Sequence, residues 1–281
     1  MKNYPMTVVI IFLLSVMVVA CTERIDIQLN DSYIRLVVDG SITTDTLAHT
    51  VILTKTTSYY FNQSAPMVTG AIVSISTGDI KYDLKELKPG VYCTEPIVYG
   101  IAGNIYTLNI KLSGQLGGYT DYTASSSLNA VSPLDSIKLL YHPDWSDKGF
   151  WEVRSFFQDP PTEDYYRFLI SRNNEILSDT LDEWFVTDDI FLNGNYSYDT
   201  PVAFLDQSSG DERLTSGDKL SVEMNSIGKD YAEFLLGAQS ELMGSNPLFG
   251  GPPANVKGNI NNGAIGFFAA YSVTRASTIT P

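Results

Sequence analysis

The sequence predicts a mainly β protein: an N-terminal immunoglobulin-like β-sandwich followed by a larger β-rich domain that carries one α-helix. Three observations predict it. Short apolar and β-branched runs recur along the chain, closed by Asp-Gly, Gly-Asp and Pro-Gly turn signals. A helical period occurs once, near residues 230–243. Apolar residues make up 44% and aromatic residues 12% of the 281 residues, enough to fill buried cores and too much for a disordered chain.

The chain opens with an uncharged apolar run, Met6–Ala20, behind one positive charge at Lys2. The run is shorter than the roughly 20 residues of a membrane-spanning helix and has the length of a signal-peptide core, so residues 1–20 read as a signal peptide. Val18-Val19-Ala20-Cys21 sets a small residue directly before a cysteine and resembles a bacterial lipobox. That resemblance implies acylation of the Cys21 thiol by palmitate or a similar chain. An ordinary secretory signal with an incidental cysteine, or a short membrane anchor, is the alternative. Acyl chains contribute about 0.8 kcal/mol per buried methylene, so several of them hold a folded domain on a bilayer. Polar residues 21–32 then form a tether.

Residues 33–113 supply a series of short strands. Tyr33–Val38 is β-branched and ends at the turn dipeptide Asp39-Gly40. Thr50–Thr54 and Ala71–Ser76 follow, and Gly78-Asp79 links the latter to Ile80–Leu84. Lys88-Pro89-Gly90 turns into Val91–Thr94. Asn104–Leu112 alternates strictly, with Tyr106, Leu108, Ile110 and Leu112 on the buried face. Regular spacing of this kind specifies a sandwich of about 90 residues.

Residues 114–136 are rich in Gly, Ser and Thr and read as a linker or strand-exchange region. The second domain, 137–281, begins with strands at Trp151–Phe157 and Tyr165–Ser171 around the turn Gln158-Asp159-Pro160-Pro161. Lys219–Ile227 alternates with Leu220, Val222 and Met224 inward. Asp230 and Glu233 form a capping-box pattern ahead of the stripe Tyr231, Phe234, Leu235, Ala238 and Leu242, which predicts a core-facing helix stopped by Gly244 and Pro247. After the Gly/Pro/Asn-rich stretch 250–263, Ala264–Thr274 is apolar enough to lie inside a sheet.

The net charge of −14, with its few basic residues scattered, excludes a nucleic-acid partner, because phosphates demand Lys/Arg clusters. With Cys21 acylated, Cys93 has no disulfide partner; on a short strand it reads as a buried thiol. His49 and His142 lack metal-ligand neighbours at zinc spacing. The acidic pairs Asp182-Glu183, Asp188-Asp189 and Asp211-Glu212 could bind calcium if folded together, but their composition favours solvated loops. No nucleophile elbow, P-loop or dinucleotide fingerprint occurs. No catalytic residue, metal ligand or cofactor is assigned.

Aromatic residues in polar, turn-like settings are the candidate binding groups: Tyr59, Tyr60, Trp145, Trp184 and Tyr196, the last beside Tyr198. Such rings stack on sugars or anchor a peptide or protein partner. The alternative is that they cover loop bases as satellite core.

Several segments carry a family resemblance. They are the lipobox-like start, Leu36-Val37-Val38-Asp39-Gly40, Val68-Thr69-Gly70-Ala71, Pro89-Gly90-Val91-Tyr92, Phe157-Gln158-Asp159-Pro160, Tyr165-Tyr166-Arg167-Phe168 and Asp188-Asp189 with Phe191 and Gly194. Asn246-Pro247 and the stretch from Asn261 through Gly263-Ala264-Ile265-Gly266-Phe267-Phe268 to Ala270-Tyr271-Ser272 extend it. In this order they resemble the Bacteroidota lipoprotein family catalogued as domain of unknown function 4249. Members accompany TonB-dependent outer-membrane receptors, and the family supplies no catalytic residues. The expectation is therefore a lipid-anchored outer-membrane binding protein, not an enzyme, accessory to such a receptor in nutrient uptake. A structural surface protein (an adhesin or fimbrial-type subunit) is the alternative, and a hydrolase is third.

Cys21→Ala tests the leader. Metabolic labelling with a fatty-acid analogue is expected to mark the natural chain and not the variant, while the fold of the domain stays unchanged; equal labelling of both would remove the lipoprotein reading.

Overall fold

A computed structural model describes residues 34–57, 64–244 and 256–281. The signal peptide 1–20, the 21–32 tether with Cys21, the aromatics Tyr59 and Tyr60, and the stop signal Pro247 lie outside the described residues. The chain is mainly β, as expected. Its first half contributes β1 (Leu36–Thr43), β2 (Thr50–Lys55), β3 (Ile72–Thr77), β4 (Ile80–Asp83), β5 (Lys85–Lys88), β6 (Val91–Cys93), β7 (Ile105–Leu116) and β8 (Tyr119–Ser127). Then follow β9 (Leu134–His142), β10 (Phe150–Gln158), β11 (Tyr165–Arg172), β12 (Glu175–Ile176), a 3-10 turn (Leu181–Glu183) and β13 (Phe185–Asp188). The last elements are β14 (Tyr196–Asp206), β15 (Lys219–Ile227), α1 (Lys229–Gly244) and β16 (Ile265–Ile279).

These strands form three sheets. A nine-stranded sheet runs β12-β11-β15-β16-β1-β2-β6-β5, with β13 also paired to β11. A four-stranded sheet, β4-β3-β7-β8, packs on one part of it, and a three-stranded sheet, β14-β10-β9, on another. The first core joins Val38, Ile42, Val51, Leu53 and Tyr92 to Ile75, Tyr106, Leu108 and Ile110. The second joins Phe157 and Val153 to Tyr166, Phe168, Val222 and Met224. A third cluster lies under the helix, where Ala232 and Leu235 meet Val186 and Ile227. The four alternating residues expected inward on β7 are all buried, as is the Cys93 thiol.

The two cores share one sheet because β16 serves both. Its first half pairs in parallel with β1, from Val37↔Ile265 to Thr43↔Tyr271. Its second half pairs antiparallel with β15, from Ser226↔Ser272 to Lys219↔Ile279. Residues 33–281 accordingly form one compact unit. The segment 114–136, expected as a linker or strand-exchange region, is largely strand and contributes Tyr122, Ala124 and Leu128 to the first core. It contains the end of β7, all of β8 and the start of β9. β8 escapes a periodicity reading because its inward positions, Tyr122, Ala124 and Ser126, are weakly apolar.

Side chains substitute for a neighbouring strand where β16 lies beside β8. The Asn259 amide accepts the Phe268 N–H at 2.9 Å and donates to the Phe268 carbonyl at 2.8 Å. Asn261 exchanges two bonds with Thr123, its backbone N–H reaching the Thr123 carbonyl at 3.0 Å and its side-chain oxygen accepting the Thr123 N–H at 2.8 Å. Asn262 donates to the Asp121 carbonyl at 2.7 Å. The open edge of β8 is thereby satisfied, as buried or half-buried backbone groups require.

Three local expectations change. Asp39-Gly40 is not a turn: β1 runs through it, and a Cβ on Gly40 would approach Val51 Cγ2 at 2.9 Å, so the glycine admits close strand packing. The helix begins at Lys229, placing Asp230 in the first turn, where its charge complements the helix dipole, and not at the cap. Leu242, expected in the core stripe, is exposed, because the buried face is Ala232, Leu235 and Gln239. Gln239 reaches inward to donate to the carbonyls of Leu181 and Trp184 at 2.8 and 2.7 Å.

Gly266 is the tightest point of the shared strand. Its φ is +97°, and a Cβ there would sit 1.9 Å from the Val38 carbonyl oxygen. Gly266→Ala is expected to abolish cooperative folding of the whole unit, whereas Gly114→Ala, with open space around it, leaves the melting temperature within about 2 °C. Thermal melts of the two variants check this.

Candidate functional site

Alternation along β10 sends Val153, Ser155 and Phe157 into the second core and Phe150, Glu152 and Arg154 to the opposite face of the three-stranded sheet. Cross-strand register puts His142 and Asp206 beside Phe150, and Leu140 and Phe204 beside Glu152. The β9–β10 loop then folds Trp145 back over this face. Its indole stacks on the His142 ring at 3.8 Å and 9°, and lies 5.9 Å from Phe204 and 6.4 Å from Phe150. Trp145 remains 53% exposed and Phe204 50% exposed, so two large apolar rings share an open shelf.

Charge lies directly beneath the rings. Glu152 is only 3% exposed. It accepts a hydrogen bond from Arg154 at 2.9 Å and meets His142 Nε2 at 2.6 Å. Arg154 also donates to Asp199, whose backbone has a φ of 65°. Burial pushes the Glu152 carboxyl up, but the hydrogen bonds from Arg154 and His142 outweigh it and hold the group below its usual value of 4.5. Arg154 Nε and Asp199 Oδ1 are buried atoms with no partner, leaving one donor and one acceptor unused beside the shelf.

The other two described candidate aromatics, Trp184 and Tyr196, make separate contacts. Trp184 is half-buried and covers Arg167, whose guanidinium carbon lies 4.6 Å from the indole centroid and 4.8 Å from that of Tyr271. Arg167 is 4% exposed and donates from Nε and one terminal nitrogen to Asn225 Oδ1 at 2.9 and 2.7 Å. Asn225 passes the interaction to Glu223 at 2.9 Å. Trp184 thus encloses a buried cation, and together with Phe204 it lines a cavity of about 240 Å³. Tyr196 packs against Tyr198 at 4.8 Å and donates to Asp135 at 2.9 Å, at the other end of β14. Tyr198 projects into solvent.

His49 is a core residue: Nδ1 accepts the Thr43 N–H at 3.4 Å, Nε2 donates to the Val98 carbonyl at 3.2 Å, and burial lowers its pKa. Acidic side chains do converge elsewhere. Asp159, Asp164 and Asp189 each offer a carboxylate oxygen within 4.8 Å of the others, and all three are buried. The expected solvated loop at Asp188-Asp189 is therefore half wrong, since Asp188 is exposed and Asp189 is only 2% exposed.

Of the described aromatics singled out from sequence, Trp145 alone makes ring contacts with Phe150 and Phe204. Phe150, Phe204, His142, Glu152 and Arg154 were missed. The available signal was Phe150-Trp151-Glu152-Val153-Arg154, an alternation that places a ring and two opposite charges on one face of a strand.

Residues 22–277 match the family described as Domain of unknown function (DUF4249). Among curated proteins no sequence matches the chain. A chain from a solved cytokine receptor complex is 11% identical, covering 85% of this chain and 94% of that one, with a TM-score of 0.22, a likeness too low to carry an argument.

The depressed Glu152 carboxyl sets the sign of a pH effect. Its contribution is fully present above pH 4.5 and is lost as pH falls through the lower folded value. Glu152→Gln is expected to cost about 2 kcal/mol at pH 7, and the cost should shrink as the pH falls below 4.5 through the carboxyl's lowered folded value, because both chains then carry a neutral group. Urea melts at pH 7, 5 and 3 check the convergence.

Proposed function

The chain belongs to the DUF4249 family, and on that premise we propose that it is a lipid-anchored outer-membrane binding protein, accessory to a TonB-dependent nutrient receptor. The anchor is the acylated Cys21, following the lipobox-like sequence. Among the described residues no helix is long and apolar enough to cross a membrane.

One observation carries the binding reading: the exposed pair Trp145 and Phe204 over the Glu152–Arg154–His142 network. A ligand that covers the rings gains apolar burial, worth about 25 cal/mol per Å². Rings backed by fixed polar groups suit a sugar face or a short peptide, and the same arrangement serves as an anchor for a protein partner. The network holds the shelf in place without a ligand, so little ordering opposes binding.

Native pull-down from outer membranes tests the receptor, and ligand or receptor affinity tests the shelf. Trp145→Ala and Phe204→Ala are each expected to weaken association 10-fold or more while moving the melting temperature by no more than about 2–4 °C. Phe157→Ala, in the second core, should instead cost about 3–5 kcal/mol of stability. Undiminished association in both shelf variants would remove the shelf from the reading. Polymerisation of the purified chain without any receptor would favour the surface-subunit alternative.

A further inference from the structure

The three buried aspartates come from three separate element ends. Asp159 follows β10, Asp164 precedes β11, and Asp189 follows β13. The pairing Tyr165↔Asp188 and the backbone bond from Asp189 N–H to the Asp164 carbonyl, 3.1 Å, fix the last two side by side. Gly194, at φ +80°, donates its N–H to Asp159 Oδ2 at 3.0 Å, and Tyr166 donates its hydroxyl to Asp159 Oδ1 at 2.6 Å. Thr162 donates to Asp164 Oδ2 at 2.6 Å. These bonds orient the cluster but neutralise none of it. Among the described residues no lysine, arginine or histidine forms an ion pair with any of the three.

A second observation points to a ligand. Asp189 is 2% exposed, and its Oδ2 has no hydrogen-bond partner. Its carboxylate is nonetheless gathered with those of Asp159 and Asp164, oxygen to oxygen within 4.8 Å. A buried, unpartnered carboxylate oxygen beside two other carboxylates is stable only if the group is protonated or if a cation completes it. The surroundings supply no cation of their own.

We propose that Asp159, Asp164 and Asp189 hold one calcium ion. The donor set is oxygen only, which selects a hard cation over zinc or copper. Calcium binds oxygens at about 2.3–2.6 Å, so one ion can touch ligands up to about 5 Å apart, whereas magnesium at about 2.0–2.1 Å requires a tighter cage. An open cleft of about 570 Å³ lined by Thr162, Pro160, Ala102 and Asp164, the one of the three aspartates that borders it, brings solvent up to the Asp164 side of the cluster. Bound there, the ion ties the β10–β11 turn to the β13–β14 loop, and its role is structural.

The test uses the full-length lipoprotein in detergent, stripped with chelator and then given calcium or magnesium alone. Equilibrium dialysis with radioactive calcium is expected to show one ion bound per chain. Calcium at 100-fold over its Kd should raise the melting temperature by about 5–10 °C, with a smaller effect of magnesium. Asp189→Asn should weaken calcium binding 10-fold or more, while Asp188→Asn, the exposed neighbour, should leave it unchanged. Should Asp189→Asn fail to fold, Asp164→Asn tests the same loss. Absence of stoichiometric calcium in the natural chain would overturn the proposal and assign the cluster to shared protons. Calcium binding that survives Asp189→Asn and Asp164→Asn alike would overturn it too.

Discussion

The architecture depends on β16 having two partners on two edges. Its first half completes the sheet of the N-terminal sandwich beside β1, and its second half completes the sheet of the second core beside β15. A parallel pair cannot be joined by a short hairpin, so β1 and β16 meet only because nearly the whole chain intervenes. That arrangement constrains composition at the crossing. Phe267, Phe268, Ala269 and Ala270 are all buried, since both faces of the strand are covered: Phe268 and Ala270 by the first core, Phe267 by Tyr231 and Phe234 of the helix. Gly266 admits the β1 backbone, and Asn259 supplies the hydrogen bonds that a further strand would have made.

Buried charge is handled in contrasting ways across the molecule. Arg167 keeps its charge between the faces of Trp184 and Tyr271 and relays it through Asn225 to Glu223. Glu223 in turn accepts Arg275 at 2.9 and 2.6 Å, and Arg275 grips Asp45 of the β1–β2 connection. This chain of polar contacts crosses the same sheet that β16 unites. Glu152 is answered directly by Arg154 and His142. The Asp159–Asp164–Asp189 group alone among these has no cationic side chain to answer it. Burying acids without a counter-charge is costly enough that the three positions stand apart from every other charged group in the described fold.

Most strands with strict alternation or strong turn signals were legible from the sequence: β7, β10, β11 and β15 fall within a few residues of their expected bounds. β8, β9 and β14 were not. Serine and threonine fill the alternate positions of β8, and β14 carries Pro201 and the left-handed Asp199, which break a periodicity reading. The division into domains was half legible. Two cores exist, but a one-dimensional reading cannot show that the last strand joins the first. Trp145 was recognisable from its polar setting, whereas Phe204 looks like an ordinary strand residue until β14 is placed beside β10. Asp159, Asp164 and Asp189 are spread over 30 positions, and only the β11–β13 pairing brings the second and third together.

The route of β16 also governs the order of events in folding. The N-terminal half has its own four-stranded sheet early, but β1 lacks its parallel neighbour until the final residues of the chain are present. Pairings of such sequence separation are intrinsically slow to form, because a long loop must close before any contact compensates for it. Until then β1 offers an unpaired edge to any strand nearby. Loss of residues 265–281 would therefore be felt at the opposite end of the sequence, where β1 would be left without its parallel neighbour.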